Sequence, residues 1–134
     1  MNGEIQDIEG IITRLQNETN DNCRPVQGLA KVICELFGVP EDVLFLRSRK
    51  RELVDARRLY FYILDKKANW GPSAVSRHTA SISCNKGWDH ASVIYASRKC
   101  EEIMETEKSY RQKADEIFQA LKEDRIRIPK YSQI

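Results

Sequence analysis

The 134-residue sequence lacks the features that mark several large classes of protein. It has only four prolines and six glycines, which suits a few long helices better than many short strands. No apolar run approaches the roughly 20 residues that span a bilayer. Residues 1–7 carry neither the basic start nor the apolar stretch of a secretory signal. We therefore expect an all-α protein that stays in the cytoplasm and has no membrane partner.

Sequence motifs for catalysis and cofactor binding are also missing. There is no GxxxxGK[ST] loop to bind nucleotide phosphates, and there is no GxSxG or HExxH motif. These absences predict a non-catalytic protein that uses neither a nucleotide nor another cofactor. One enzymatic alternative stays open at this point, a nucleophilic Cys84 activated by His90, which would require a third group to orient the base.

The four cysteines are spaced too widely for a compact metal site. Cys23, Cys34, Cys84 and Cys100 form no CxxC pair, and only two histidines accompany them. Known zinc sites favour closely spaced ligand pairs, so we predict no metal. In a reducing cytoplasm the cysteines are expected to be free thiols, with Cys34 and Cys100 serving as small core residues.

Apolar residues recur at helical spacing in the first part of the chain. The stripe within residues 5–16 predicts an amphipathic helix, followed by a polar loop at 17–22. A second stripe at 29–37 predicts a helix that Gly38 ends, because helices commonly close on a residue with positive φ. A short helical turn is expected after Pro40.

Three further helical segments are predicted downstream. A broad apolar face predicts a helix over about 52–67, and a short helix is expected from Pro72 or Ser73 to about Thr79. Residues 81–87 are polar and are expected to be irregular. Asp89 can cap a new helix, because its carboxylate can accept hydrogen bonds from the first turn.

The last part of the chain is rich in charged residues. The stripe at 99–123 is weaker and fits either one long helix or two. A frayed, basic tail is expected at 125–130. We divide the chain into an N-terminal helix and loop at 1–22, a central domain at 23–105, and a C-terminal helix and basic tail at 106–134.

Positive charge is clustered, although the net charge is only +2. A local basic patch attracts phosphates even on a nearly neutral protein. An isolated basic run is equally compatible with a solvated loop, so the cluster alone does not decide the function. The cluster comprises Arg47, Arg49, Lys50 and Arg51, with Arg57 and Arg58 on the helix that follows.

Three segments, taken in order, resemble the C-terminal DNA-binding domain of the bacterial replication initiator DnaA. They are VICELFGVPEDVL at 32–44, RKRELVDARR at 49–58 and KGWDHASVIYASRK at 86–99. The most specific piece is the Asp-His-x-[Ser/Thr]-Val run with Arg-Lys five residues later. The resemblance covers roughly residues 27–104, and it implies a helix-turn-helix and no nucleotide-binding module.

The resemblance implies a role for the matching basic residues. Arg49 matches a loop arginine that enters the minor groove, and Arg57 and Arg58 match positions that contact phosphates. Arginine suits both roles, because its guanidinium favours narrow minor grooves and phosphate oxygens. Lys86 adds a further cation beside the recognition segment.

The resemblance also places the start of the recognition helix. Asp89, His90 and Ser92 match the residues that lie in the major groove, where an Asp can accept from a cytosine amino group. The full set of predicted DNA-binding residues is Arg47, Arg49, Lys50, Arg51, Arg57, Arg58, Lys86, Trp88, Asp89, His90, Ala91 and Ser92.

The chain departs from the family pattern at positions that specify sequence. Trp88 stands where the family has an arginine, and it could stack, pack against a sugar or anchor the turn. Ala91 replaces a threonine whose methyl group meets thymine. The stretch 73–86 is about four residues longer than in the family. The family's nine-base recognition box is therefore not expected to carry over, whereas phosphate contacts survive such changes more easily.

These observations lead to one main expectation and one alternative. We expect a bundle of five or six helices with a helix-turn-helix at about 73–104, binding double-stranded DNA in a replication-associated or regulatory role, with a replication protein as a second candidate partner. The alternative is a protein-interaction module that keeps the fold without binding DNA. The near-neutral net charge and Trp88 favour this alternative, whereas the clustered arginines oppose it.

Overall fold

A computed structural model describes residues 25–46, 48–83 and 87–131 of the chain. These residues form five α-helices and no strand, so the predicted all-α bundle is confirmed. The predicted helix at 5–16, together with Cys23, Arg47, Cys84 and Lys86, lies outside the described residues. The helices are α1 Gln27–Phe37, α2 Arg51–Tyr62, α3 Pro72–Ser83, α4 His90–Thr106 and α5 Lys108–Lys122, with a 3-10 turn at Glu41–Val43 and a π-helical turn at Ile63–Lys67.

The structure confirms the predicted end of α1 at Gly38. α1 ends at Gly38, which has φ 68° and donates its N–H to the carbonyl of Cys34. This is the left-handed backbone conformation that glycine adopts without steric cost. The helix predicted over 52–67 is also present, as α2 and the π-helical turn that continues it.

The helix α3 is longer than predicted. The expectation of an irregular segment from 81 onward is wrong at its beginning, because α3 continues to Ser83. The hydroxyl of Thr79 donates to the carbonyl of Ser76, and that of Ser81 donates to the carbonyl of Arg77. The two hydroxyls thus find acceptors in the preceding turn of the same helix.

Of the two alternatives left open for the C-terminal stripe, the structure has two helices, and the tail that follows them is not frayed. The chain is extended at Glu107, with φ −118° and ψ 109°, which separates α4 from α5. The tail is attached to the body, because Ile126 is 4% exposed and the indole N–H of Trp70 donates to the carbonyl of Pro129 at 2.9 Å. The ring of Tyr131 lies 5.3 Å from that of Trp70. The expectation of fraying is therefore wrong for residues up to 131.

The core is built around α2, which packs against both α1 and α4. Cys34 and Cys100 are buried in it as free thiols, as predicted. Burial raises the pKa of Cys34 to about 11 and that of Cys100 to about 12.

A buried hydroxyl joins the first three helices. The Tyr60 hydroxyl accepts from the N–H of Val26 at 2.9 Å, just before α1, and it lies 2.7 Å from Nε2 of His78 on α3. A second buried bond runs from the Ser97 hydroxyl to Asp65 at 2.8 Å and attaches α4 to the π-helical turn. These bonds fix α3 and α4 relative to α2.

Candidate nucleic-acid interface

The connection that leads into α4 passes very close to α3. Gly87 has φ 65°, and a Cβ at this position would lie 2.6 Å from the backbone nitrogen and Cα of Ala80. The next N–H, that of Trp88, donates to the hydroxyl of Thr79 at 3.0 Å. Only glycine combines this backbone conformation with this approach. The local sequence therefore determines how the start of α4 is placed against α3.

Asp89 caps α4 as predicted. Its Oδ1 accepts from the N–H of Ser92 at 2.7 Å, and its own backbone is extended. The cap leaves the side chains of the first turn outward, since His90 and Ala91 are exposed and Ser92 is half-buried. The first turn of α4 thus presents a polar and a small apolar group to whatever approaches it.

Arg57 connects the basic loop to this turn. Its Nη1 donates to the carbonyl of Leu46 at 2.7 Å, and its Nη2 donates to that of Ser48 at 3.4 Å. Its guanidinium carbon lies 4.8 Å from the ring centroid of Trp88, in cation–π contact. The residue is only 9% exposed. Arg57 therefore fixes the loop and the turn in one arrangement, and it offers little surface of its own.

Trp88 packs inside the protein. It is 8% exposed, and its ring lies 5.5 Å from that of Phe61 and 6.3 Å from that of Phe45. Of the roles left open for this residue, the packing favours an anchor for the turn.

A cleft of about 420 Å³ lies between α2 and α4. The structure brings half of the predicted site residues together in its lining, namely Arg57, Arg58, Trp88, Asp89, Ala91 and Ser92. Tyr95 also lines the cleft and was not predicted. It is 57% exposed, and the guanidinium carbon of Arg58 lies 5.8 Å from its ring centroid. Its position four residues after Ala91, on the same helix face, is the signal that could have identified it.

Among the described residues, the other predicted site residues, Arg49, Lys50, Arg51 and His90, do not line this cleft. Arg49 and Lys50 are exposed in the loop before α2. Arg51 instead forms ion pairs with Asp55 and with Glu107 at the start of α5. The bond and charge of Glu107, with a smaller contribution from Asp55, raise the pKa of Arg51. The positive charge of Arg51 is thus compensated, whereas the side chains of Arg49 and Lys50 point to solvent.

Among the described residues there is neither a metal-binding cluster nor a membrane-spanning helix. No group of three or more His, Cys, Asp and Glu side chains in residues 25–46, 48–83 and 87–131 is arranged to hold a metal ion. Among the helices of these same residues, none combines the length and apolar character needed to span a bilayer.

Sequence comparison finds relatives of a single kind. The chain is 29% identical over 115 residues to the chromosomal replication initiator protein DnaA of Bacteroides thetaiotaomicron, covering 86% of this chain and 22% of that protein. It is 28% identical over 93 residues to DnaA of Thermodesulfovibrio yellowstonii, covering 69% and 20%. It is 27% identical over 110 residues to DnaA of Pseudothermotoga lettingae, covering 77% and 22%.

These matches cover most of this chain but only a small part of each relative. The chain spans about a fifth of the length of these relatives. No protein-family model matches the chain, and no solved structure matches it. The resemblance drawn from the three sequence segments is nevertheless confirmed by relatives that align with most of the chain. Over most of its length, this all-α chain is similar to one part of the replication initiator DnaA.

Proposed function

We propose that this chain binds double-stranded DNA in a replication-associated or regulatory role and has no catalytic activity of its own. The observation that carries the proposal is the Arg57 contact set, which holds the exposed basic loop beside the exposed first turn of α4. The relatives are named as chromosomal replication initiators, and their name supports a replication-associated role.

In this proposal α3 and α4 act as a helix-turn-helix, with α4 as the recognition helix. The first residues of a recognition helix contact base edges in the major groove. His90, Ala91 and Ser92 occupy those positions, and Asp89 adds an acceptor that suits a cytosine amino group. Tyr95 continues the same face one turn later and can contact a sugar or a thymine methyl group.

The basic loop supplies the second contact. Arg49 and Lys50 are exposed next to the loop segment that Arg57 holds, so they can reach the phosphates or the adjacent minor groove. Arg58 lines the cleft between α2 and α4 and faces the backbone of a duplex bound there. Arg57 positions this surface through Leu46 and Trp88 rather than contacting phosphate itself.

Selection from a randomised duplex library at two salt concentrations tests the proposal. The intact chain should enrich one motif, and its affinity should fall steeply with salt because bound phosphates release counterions. Arg49→Ala should lower affinity for all sequences and reduce the slope of log K against log salt by about 1. Arg51→Ala is the matched control, and it should change the slope less because Glu107 and Asp55 already compensate its charge.

The outcomes separate the two functions under consideration. Salt-sensitive binding without an enriched motif would retain DNA binding and reject sequence specificity. Absence of binding at low salt would reject the proposal and favour a protein-interaction module. One observation favours that second candidate: Trp88 is buried and cannot make the guanine contact of the arginine that stands there in DnaA.

A further inference from the structure

A second and larger groove lies between α5, the end of the π-helical turn and the C-terminal tail. Its volume is about 790 Å³, and none of its lining residues lines the cleft between α2 and α4. Its apolar part includes Phe118, Leu121 and Ile128. An amphipathic helix can lay its apolar face into a hydrophobic groove.

The rim of the groove is strongly basic. The cations that line it are Lys67, Lys122, Arg127 and Lys130, against one lining carboxylate, that of Asp124. The ammonium group of Lys67 lies 4.5 Å from the ring centroid of Phe118, so positive charge extends over the apolar floor. An occupant that matches this surface must combine an apolar stripe with acidic side chains.

The chain enters the fold beside this groove. The N–H of Val26 is held by the Tyr60 hydroxyl, which fixes the start of α1. A Cβ at Gly28 would lie 3.7 Å from Cγ2 of Ile126, and Ile126 lines the groove. The described part of the chain therefore begins beside one wall of the groove.

The sequence of residues 1–24 has the complementary chemistry. Its apolar stripe, predicted as a helix over 5–16, consists of Ile5, Ile8, Ile11, Ile12 and Leu15. The segment carries five acidic side chains, Glu4, Asp7, Glu9, Glu18 and Asp21, and two basic ones, Arg14 and Arg24. A 12-residue helix is about 18 Å long. The eight residues at 17–24 can span up to about 27 Å, so the segment is long enough to reach the groove.

We propose that residues 5–16 dock as an amphipathic helix in this groove of the same chain. The apolar stripe packs on Phe118, Leu121 and Ile128, and the acidic side chains lie toward the basic rim. Docking here leaves the cleft between α2 and α4 open. The inference is therefore independent of whether the chain binds DNA.

Amide NMR spectra of the full-length chain test the docking. Ile12→Asp places a charge in the apolar stripe, whereas Thr13→Asp places the same charge on the opposite face of the same helix. Ile12→Asp should shift the amide signals of residues 118–131 and leave those of α4 unchanged, which shows that the fold is intact. Thr13→Asp should leave both sets in place. If Ile12→Asp left residues 118–131 unmoved, the docking proposal would be wrong.

A second measurement identifies the occupant. In the docked state the methyl groups of Ile8 and Ile12 should show nuclear Overhauser contacts to the ring of Phe118. A mixture of isotope-labelled and unlabelled chains distinguishes contacts within one chain from contacts between chains. Contacts found only between chains would overturn the proposal in favour of a second copy. An absence of any such contact would also overturn it and leave the groove to an acidic helix of another protein.

Discussion

The guanidinium of Arg57 stacks on Trp88 at 4.8 Å while its Nη1 donates to the carbonyl of Leu46. One side chain on α2 thus holds the loop before α2 and the turn before α4. The resemblance to DnaA puts Trp88 at a position where that family has an arginine, and in this chain Trp88 is the packing partner of Arg57. Trp88 therefore orders the surface around it from a buried position.

Arg57→Lys should weaken both the fold and DNA binding. Lysine keeps the positive charge but lacks the planar guanidinium. It therefore cannot donate to both carbonyls and stack on the indole ring at the same time. We expect the free energy of unfolding to fall by about 1–3 kcal/mol. Affinity should fall on the order of tenfold for every duplex sequence, equivalent to about 1.4 kcal/mol. Urea unfolding and fluorescence anisotropy measure the two effects. Arg58→Lys is the control and should change stability little, so equal losses in both variants would contradict the assigned role.

Gly87→Ala should be strongly destabilising. The added Cβ would lie 2.6 Å from the backbone of Ala80, and the backbone has φ 65°. Strain of this kind together with a backbone clash is expected to cost about 2–4 kcal/mol. Gly28→Ala provides a matched comparison in the same assay, because its Cβ would meet Ile126 at an ordinary 3.7 Å. That variant should be stabilised by up to about 1 kcal/mol through helix propensity, and similar effects of both changes would refute the close-approach argument.

Asp89→Asn separates capping from recognition. Asparagine caps helices about as well as aspartate, so the free energy of unfolding should change by less than about 0.5 kcal/mol. Asp89→Ala loses the bond to the Ser92 N–H and should cost about 1 kcal/mol. If Asp89 contacts a base, Asn should change the enriched DNA motif while leaving the fold intact. An unchanged motif in the Asn variant would limit Asp89 to its capping role.

Tyr95→Ala should affect binding and spare the fold. Tyr95 is 57% exposed, and surface substitutions usually change stability by less than about 0.5 kcal/mol. Loss of its contact with a duplex, and of its contact with Arg58, should weaken DNA binding several-fold. Anisotropy measurements with Tyr95→Phe as the control, which keeps the ring, decide the point. Full affinity in the Ala variant would remove Tyr95 from the interface.

Stability should decline in alkali. Burial raises the pKa of Cys34 to about 11 and of Cys100 to about 12, above the ordinary value of 9.0. The folded state therefore retains these protons more tightly than the unfolded chain. The resulting stability is fully present below pH 9 and is lost as the pH rises through the folded-state values, at about 1.4 kcal/mol per pH unit for each thiol. Urea unfolding between pH 8 and 11 measures this slope, and Cys100→Ala should reduce it. A flat profile would contradict the effect.

Local signals were sufficient to predict several elements. The apolar stripe and Gly38 define α1, and the Asp89 cap defines the start of α4, because each depends on residues within one or two helical turns. Hydrophobic spacing likewise identified α2 and its core face. These signals place the elements, whereas the roles of the site residues on them were predicted from the resemblance to DnaA.

Features that depend on distant partners could not be predicted. The attachment of the tail rests on a bond between Trp70 and Pro129, which are 59 residues apart. The burial of Arg57 follows from its contacts with Leu46 and Trp88, on two separate loops. The extension of α3 was missed for a different and local reason, because serine and threonine favour turns and caps as well as helices.

The hydroxyl of Tyr60 has a consequence for the way in which we expect the bundle to open. It joins Val26, 34 residues earlier in the chain, to His78, 18 residues later. Detaching α1 alone would break the bond between Tyr60 and Val26, and detaching α3 alone would break the one between Tyr60 and His78. Each opening would leave a buried polar group without that bond. Amide protons of the three helices should therefore exchange with solvent through one shared opening rather than helix by helix. We therefore expect one side chain to couple three sequence-distant helices in a single cooperative unit.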